Sequence, residues 1–185
     1  EVAVTNVEAG ALLSGRKMLA GTVKDGNGVK QLLYSLDNGS TYLPLTLKHD
    51  KKNNVSRFKL TIDTRSMSDG PLLCWFKAID KLGFEGISTF LYFIDNTPPV
   101  VDFSYPPESE PCGSVFSIAG SASDTVSLES LSWKMGRESG SFELIKGNPY
   151  WTKEFDVSKS SGKSQTIEIT AKDAARNTTK VKRRI

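Results

Sequence analysis

Asp95-Asn96-Thr97-Pro98-Pro99-Val100-Val101 stands near the middle of a 185-residue chain, and the pattern ahead of it returns behind it. Leu19-Ala20-Gly21-Thr22-Val23-Lys24-Asp25 matches Ile118-Ala119-Gly120-Ser121-Ala122-Ser123-Asp124 at an offset of 99 residues. The same offset carries Leu32-x-Tyr34-x-Leu36 onto Leu131-x-Trp133-x-Met135. An offset of 93 then carries Phe76-Lys77-Ala78-Ile79-Asp80 onto Ile169-Thr170-Ala171-Lys172-Asp173. Three collinear matches with one change of spacing describe an internal duplication, with an indel in the middle loops of the unit. The expected division is into domains 1–97 and 98–185. Val2-Ala3-Val4 aligns with Val100-Val101-Asp102 and Ile185 with Ile94, so both ends are expected on repeat boundaries of a longer parent.

Within each half the apolar residues alternate with period two rather than 3.6. Phe58-x-Leu60-x-Ile62, Leu72-x-Cys74-x-Phe76-x-Ala78, Leu131-x-Trp133-x-Met135 and Ile167-x-Ile169-x-Ala171 each turn one face of a strand to a core. Turn signals such as Asp25-Gly26-Asn27-Gly28, Asp37-Asn38-Gly39-Ser40 and Ser68-Asp69-Gly70-Pro71 separate them at short intervals. Many short, evenly spaced strands predict an all-β chain of two tandem immunoglobulin-like β-sandwiches with Greek-key connections. In the first, strands are expected at 19–23, 31–36, 58–62, 72–78 and 89–94, with Tyr34 and its counterpart Trp133 at the large inward aromatic position.

With those residues placed, four motifs stand out. They are A-G-x-x-x-D (Ala20 to Asp25, Ala119 to Asp124), Y-S-L-D-N-G-S (Tyr34 to Ser40), A-x-D-x-x-G/N after the 72–78 strand, and D-N-T-P-P at the joint. Together the chain resembles the bacterial immunoglobulin-like repeats of large surface and adhesin proteins, over both halves. The resemblance implies a non-catalytic spacer and interaction module of an extracytoplasmic bacterial protein, in adhesion or cell-surface organisation, with neighbouring repeats of the same chain as partners. The second half departs from the motifs at Arg176-Asn177, where the first has Gly83, and at Gly136-Arg137-Glu138, where the first has Asp37-Asn38-Gly39.

Charge is nearly balanced, with 24 Lys plus Arg against 21 Asp plus Glu. No strong field therefore argues for a nucleic-acid partner, and no apolar run approaches the roughly 18 residues of a membrane span. Lys180 to Arg184 is a local basic excess, of the kind that protects a strand edge from pairing.

Catalytic signatures are absent. His49 is the sole histidine, in the polar stretch Lys48 to Asn54, which reads as a solvated loop without a nucleophile elbow near it. Cys74 shares the inward phase of its strand and Cys112 lies in a Pro-Cys-Gly turn, so a bridge between them would have to leave a core for a loop. No cofactor is required, and one metal is possible. If the loops after the 19–23-type and 72–78-type strands share the pole of the incoming linker, Asp124 and Asp173 converge on Asp95 and Asn96, oxygen ligands that suit calcium. Turn capping by the same carboxylates is the alternative. Finally, Leu73, Trp75, Leu91 and Phe93 fall on the outward phase of their strands and predict an apolar outer sheet face that meets a protein or glycan partner, or is covered by a neighbouring domain or a loop of its own domain. Sugar contact through Trp75 would make the chain an accessory region of a secreted carbohydrate-active enzyme instead.

Overall fold

Phe58, Leu60 and Ile62 occupy the buried phase of one strand, and Leu72, Cys74 and Phe76 that of its counterpart in the facing sheet. The computed structural model describes residues 1–50, 55–158 and 164–185. It divides into two units, 1–96 and 97–185.

Unit 1 contains β1 (Val2–Val4), β2 (Leu12–Leu13), β3 (Arg16–Val23), β4 (Val29–Ser35), β5 (Leu43–Leu45), β6 (Lys48–Asp50), β7 (Val55–Asp63), β8 (Gly70–Asp80) and β9 (Glu85–Ile94). One sheet has the order β1-β3-β7-β6 and the other β2-β9-β8-β4-β5. The pairs are antiparallel except β2 with β9, where Leu12 lies beside Phe93. The first segment thus contributes to both sheets, β1 to one and β2 to the other. Unit 2 contains β10 (Val100–Tyr105), β11 (Val115–Ser123), β12 (Leu128–Met135), β13 (Glu138–Ser141), β14 (Tyr150–Asp156), β15 (Thr166–Asp173) and β16 (Thr178–Arg184), in sheets β10-β11-β14 and β13-β12-β15-β16. Both are immunoglobulin-like sandwiches with Greek-key connections, and the chain is all-β.

Each unit has its own core. Leu19, Leu32, Ile62, Phe76 and Tyr92 are fully buried in unit 1, and Ile118, Leu131, Ile167 and Ile169 in unit 2. Each such side chain contributes about 1.5–3 kcal/mol relative to exposure. Tyr34 and Trp133 pack against these cores from corresponding positions on β4 and β12.

The repeated Ala-Gly has a physical cause. A Cβ on Gly21 would stand 2.2 Å from the Ala3 carbonyl oxygen and 2.5 Å from the Phe58 ring; on Gly120 it would stand 2.1 Å from the Asp102 oxygen and 2.4 Å from the Trp151 ring. These glycines let an aromatic side chain of the neighbouring strand lie directly on the backbone.

Register corrects two of the sequence alignments. Val2 pairs with Val23 and Val101 with Ala122, so Val2 corresponds to Val101 and not to Val100. The Val100-Val101 doublet offers two choices by sequence, and a one-residue slip exchanges the faces. Ile185 exchanges backbone hydrogen bonds with Gln165, as Tyr92 pairs with Leu72, so it corresponds to Tyr92 rather than Ile94. The strands also run longer than their apolar marks: β9 begins at Glu85, four residues before the expected Thr89.

β14 is an edge strand. It pairs with β11 on one side, and no strand pairs with its other side among the described residues. Its inward phase includes a cation: Lys153 stands between Trp151 and Phe155, with Nζ 5.6 Å from the Trp133 ring centroid and 5.9 Å from that of Phe155.

Gly21→Ala is expected to destabilise unit 1, and Gly120→Ala unit 2, each by roughly 1–3 kcal/mol or more from overpacking. Differential scanning calorimetry of the full chain checks this: each substitution should lower one transition and leave the other in place.

Candidate functional site

The hairpin from β8 to β9 is built around Asp80. Its Oδ1 accepts from the amides of Leu82 (2.9 Å) and Phe84 (2.8 Å), and its Oδ2 accepts from Asn27 Nδ2 at 2.9 Å. Asn27, followed by those amides, holds the Asp80 carboxyl below its ordinary value. Gly83 makes the reversal at φ +93°. Lys81 N donates to Gly28 O (3.0 Å) and so ties the hairpin to the loop between β3 and β4.

Unit 2 repeats this frame on Asp173. Oδ1 accepts from Asn177 N (2.7 Å), Oδ2 from Asn177 Nδ2 (2.8 Å), and Ala174 N donates to Ser127 O (3.0 Å). Arg176, at φ +76°, takes the place of Gly83, a left-handed conformation that is uncommon outside glycine. The adjoining loop is capped likewise, since Asp124 Oδ1 accepts from Val126 N (2.8 Å) and Ser127 N (2.9 Å), as Asp25 Oδ1 accepts from Asn27 N (2.8 Å).

Of the four residues expected around calcium, Asp124 and Asp173 come together, a carboxylate oxygen of each within 4.8 Å of the other. Asp124 Oδ2 is buried without a hydrogen-bond partner. Asp95 is the first residue beyond β9, buried, with its amide donating to Leu13 O (3.1 Å). Asn96 has a different task. Its Nδ2 donates to Thr64 O (2.7 Å) and Met67 O (3.1 Å), and its Oδ1 accepts from the Thr64 hydroxyl (2.7 Å) and Gly15 N (3.4 Å). The amide group is saturated within unit 1, where it latches the last strand to the turn after β7, and it has nothing left to give a cation. Sequence reasoning missed this latch because its partners are mostly backbone groups. Turn capping by Asp124 and Asp173 predicts melting of the full chain that coincides in millimolar calcium and in chelator. A calcium-dependent rise that disappears in Asp124→Asn would instead mark a cation bridging the two carboxylates.

The outer face of the β8–β9 sheet is apolar, with Leu73, Leu91 and Phe93 37 %, 37 % and 39 % exposed. Leu73 lies opposite Leu91, and Pro71 opposite Phe93. Trp75 is not part of the open surface. It is half-buried, with Gly39 packed against its ring and the Tyr42 hydroxyl alongside Gly39. Residues 36–42 therefore curl against one side of its ring.

Asp37 fixes that curl. Its Oδ1 accepts from the Ser35 hydroxyl (2.6 Å) and from Thr41 N (2.9 Å), its Oδ2 from the Thr41 hydroxyl, and the Ser35 oxygen accepts from Gly39 N (2.9 Å). The Ser35 hydroxyl first, then the Thr41 hydroxyl and amide, lower the Asp37 carboxyl to about 2. The spacing Ser35-x-Asp37-x-x-x-Thr41 is the signal by which this cover was open to recognition. A depressed carboxyl stabilises the loop fully above its ordinary value of 3.8, and that contribution is lost as pH falls through about 2. Acid titration should shift the Gly39 amide resonance in that window, and Asp37→Asn should remove the titration.

His49 does not lie in a loop. It is the middle residue of β6, opposite Ser56, with Nδ1 3.3 Å from the Ser56 hydroxyl. Ser56 is buried, which does not suit a nucleophile that must meet a substrate. Residues 51–54 of that stretch lie outside the described residues. Both cysteines are free: Cys74 is buried in β8, its thiol pushed up to about 12 by desolvation, and Cys112 is half-exposed with Sγ 3.6 Å from Glu110 O. No helix of the described residues is long and apolar enough to cross a membrane.

In unit 2 a cleft of about 610 Å³ opens between residues 123–128 and 143–151. Asp124, Glu143, Lys146 and Asn148 bring polar groups to it, and Tyr150, 75 % exposed, stands among its lining residues.

No family model matches the sequence, and no curated protein matches it either. Solved structures with a similar course of chain include a tetra-tandem repeat from the extending region of a large adhesion protein, 17 % identical over 100 % of this chain and 47 % of that one, with a TM-score of 0.38. The D00-D0 domain of intimin is 10 % identical over 100 % of this chain and 99 % of its own, also at 0.38. The endo-beta-1,4-mannanase from Thermotoga petrophila is 12 % identical over 52 % of this chain, at 0.43, and the chain spans only 20 % of the mannanase's length. Likenesses this distant carry no inference about activity.

Proposed function

We propose that the chain is a non-catalytic spacer and interaction module of an extracytoplasmic bacterial protein, serving adhesion or cell-surface organisation through tandem immunoglobulin-like units. One observation carries this reading. The two units rebuild the same loop frame on Asp80 and Asp173, whose carboxylates are engaged by backbone amides and by the side chains of Asn27 and Asn177. Groups so engaged serve shape rather than chemistry. Leu73, Leu91 and Phe93 form the patch offered to a partner, since apolar surface on a soluble domain is usually covered in use.

A second reading, an accessory region of a carbohydrate-active enzyme, is favoured by the unit 2 cleft rather than by Trp75. An exposed ring at Tyr150 beside carboxylates and an amide is chemistry that suits a sugar. Affinity electrophoresis through β-glucans, with Tyr150→Ala as control, separates the two: retardation that Tyr150→Ala removes favours the accessory reading.

The spacer reading expects residues 1–97 and 98–185, expressed separately, each to unfold cooperatively, and the full chain to show no turnover that His49→Ala abolishes. Failure of both halves to fold alone, or a His49-dependent hydrolase activity with the fold retained by circular dichroism, overturns it.

A further inference from the structure

The sheets that hold Gly21 and Gly120 turn their outer faces away from each core, and these corresponding faces carry opposite charge. In unit 1, Ala20 lies beside Lys59, and Thr22 lies beside Arg57, which has Lys48 on its other side. Ala20 and Thr22 are half-buried at the floor of a groove of about 600 Å³, and Lys48, Arg57 and Lys59 line it. Asp50 pairs with Arg57 at 3.2 Å, while among the described residues no carboxylate pairs with Lys48 or Lys59.

In unit 2, Ala119 lies beside Thr152, and Ser121 lies between Asp102 and Tyr150. Glu154 and Asp156 continue the outward phase of β14, and among the described residues the outward phase of β10, β11 and β14 holds no lysine or arginine. Tyr150 stands where unit 1 has Arg57, and it is 75 % exposed. Unit 1 thus offers a hollow lined by cations, and unit 2 a projecting ring flanked by carboxylates.

We propose that the chain associates with a second copy of itself through these two faces, the Tyr150 ring of one copy entering the groove over Ala20 and Thr22 of the other. Asp102, Glu154 and Asp156 then meet Lys48, Arg57 and Lys59. Charge selects this occupant, because two basic faces repel one another, as do two acidic ones, and only unit 1 against unit 2 is left. A tyrosine loses little conformational freedom on contact, having two side-chain torsions, and its ring gains further from cations beside it. Each chain carries one face of each kind, so the contact either closes into a pair or runs on as a row. Size sets its strength. Three strands of nine residues cover roughly 30 Å by 15 Å, so one contact buries about 900 Å² over both partners, at the lower limit for a stable complex. A small, charged interface of this kind is fast to form and sensitive to salt. It also uses side chains alone and leaves the backbone edge of β14 unpaired.

Sedimentation velocity of the full chain, at high concentration, tests the contact. Self-association should weaken on the order of tenfold or more from about 0.01 M to about 1 M salt, as the screening length falls from about 30 Å to about 3 Å. Arg57→Glu with Lys59→Glu makes both faces acidic, and Glu154→Lys with Asp156→Lys makes both basic. Each double variant should be monomeric alone, and an equimolar mixture of the two should associate again. Tyr150→Ala should weaken association without changing charge, and with the salt series it carries the test should a reversal unfold its unit by circular dichroism. A chain that stays monomeric in concentrated low-salt solution overturns the proposal. So does association that neither reversal disturbs, which assigns it to another surface such as Leu73, Leu91 and Phe93. Retention of a monomeric chain on heparin, lost in Arg57→Glu with Lys59→Glu, assigns the groove to an anionic polymer and overturns it too. The contact needs only two copies of the chain, so each of these failures leaves the spacer reading standing on its own tests.

Discussion

In both sandwiches a ring lies flat against backbone that has no side chain: Phe58 on Gly21 and Trp151 on Gly120. The rest of each core is set by that approach. β3 and β11 are inner strands with a neighbour on either side, so the ring can reach them only where Cβ is missing. From there the same rings meet further aromatic side chains. Phe58 meets Phe76 of the facing sheet at 5.1 Å between centroids, and Trp151 meets Phe103 at 5.4 Å and Phe142 at 5.1 Å. Tilted and edge-on contacts of this kind hold aromatic rings in one geometry. A residue with no side chain thereby makes room for a large aromatic ring in each unit.

The loops follow a second economy, in which the frame is kept and the display is changed. The carboxylates of Asp80 and Asp173 bind main-chain amides, and those bonds are indifferent to what the amides' own side chains are. Leu82 and Phe84 can therefore become Ala175 and Asn177 without loss of the turn, and Gly83 can become Arg176 at the cost of a left-handed residue. Asn27, which binds Asp80 Oδ2 from a different loop, has its counterpart in Asn177, which binds Asp173 from within its own hairpin. Two sequences reach one hydrogen-bond pattern by different routes.

What was legible in the sequence was what the core imposes. Period-two runs such as Phe58-x-Leu60-x-Ile62 and Ile167-x-Ile169-x-Ala171 give strands and their inward faces, because burial allows no other phase. The outward placement of Leu73, Leu91 and Phe93 followed from the same alternation. Edges were harder. β5 and β6 are three residues each, and β6 consists of Lys48, His49 and Asp50, which carry no apolar signal. Side-chain clasps were harder still: Asn96 looked like a ligand because only its residue type was visible, whereas its four contacts come from residues as distant in sequence as Gly15 and Thr64. Trp75 was placed on the right face, but the cover over it depends on Asp37 bending residues 36–42 back across the sheet.

Lys153 holds its ammonium group over the rings of Trp133 and Phe155 from β14, an edge strand among the described residues. An inward-pointing charge on an edge strand is one of the devices that discourage a further strand from pairing there. In a protein strung from many alike units this matters more than in a solitary domain, because the tether keeps potential wrong partners permanently close. One lysine on the inward phase of β14 is a feature of the kind that guards a sheet edge against pairing with a similar sandwich.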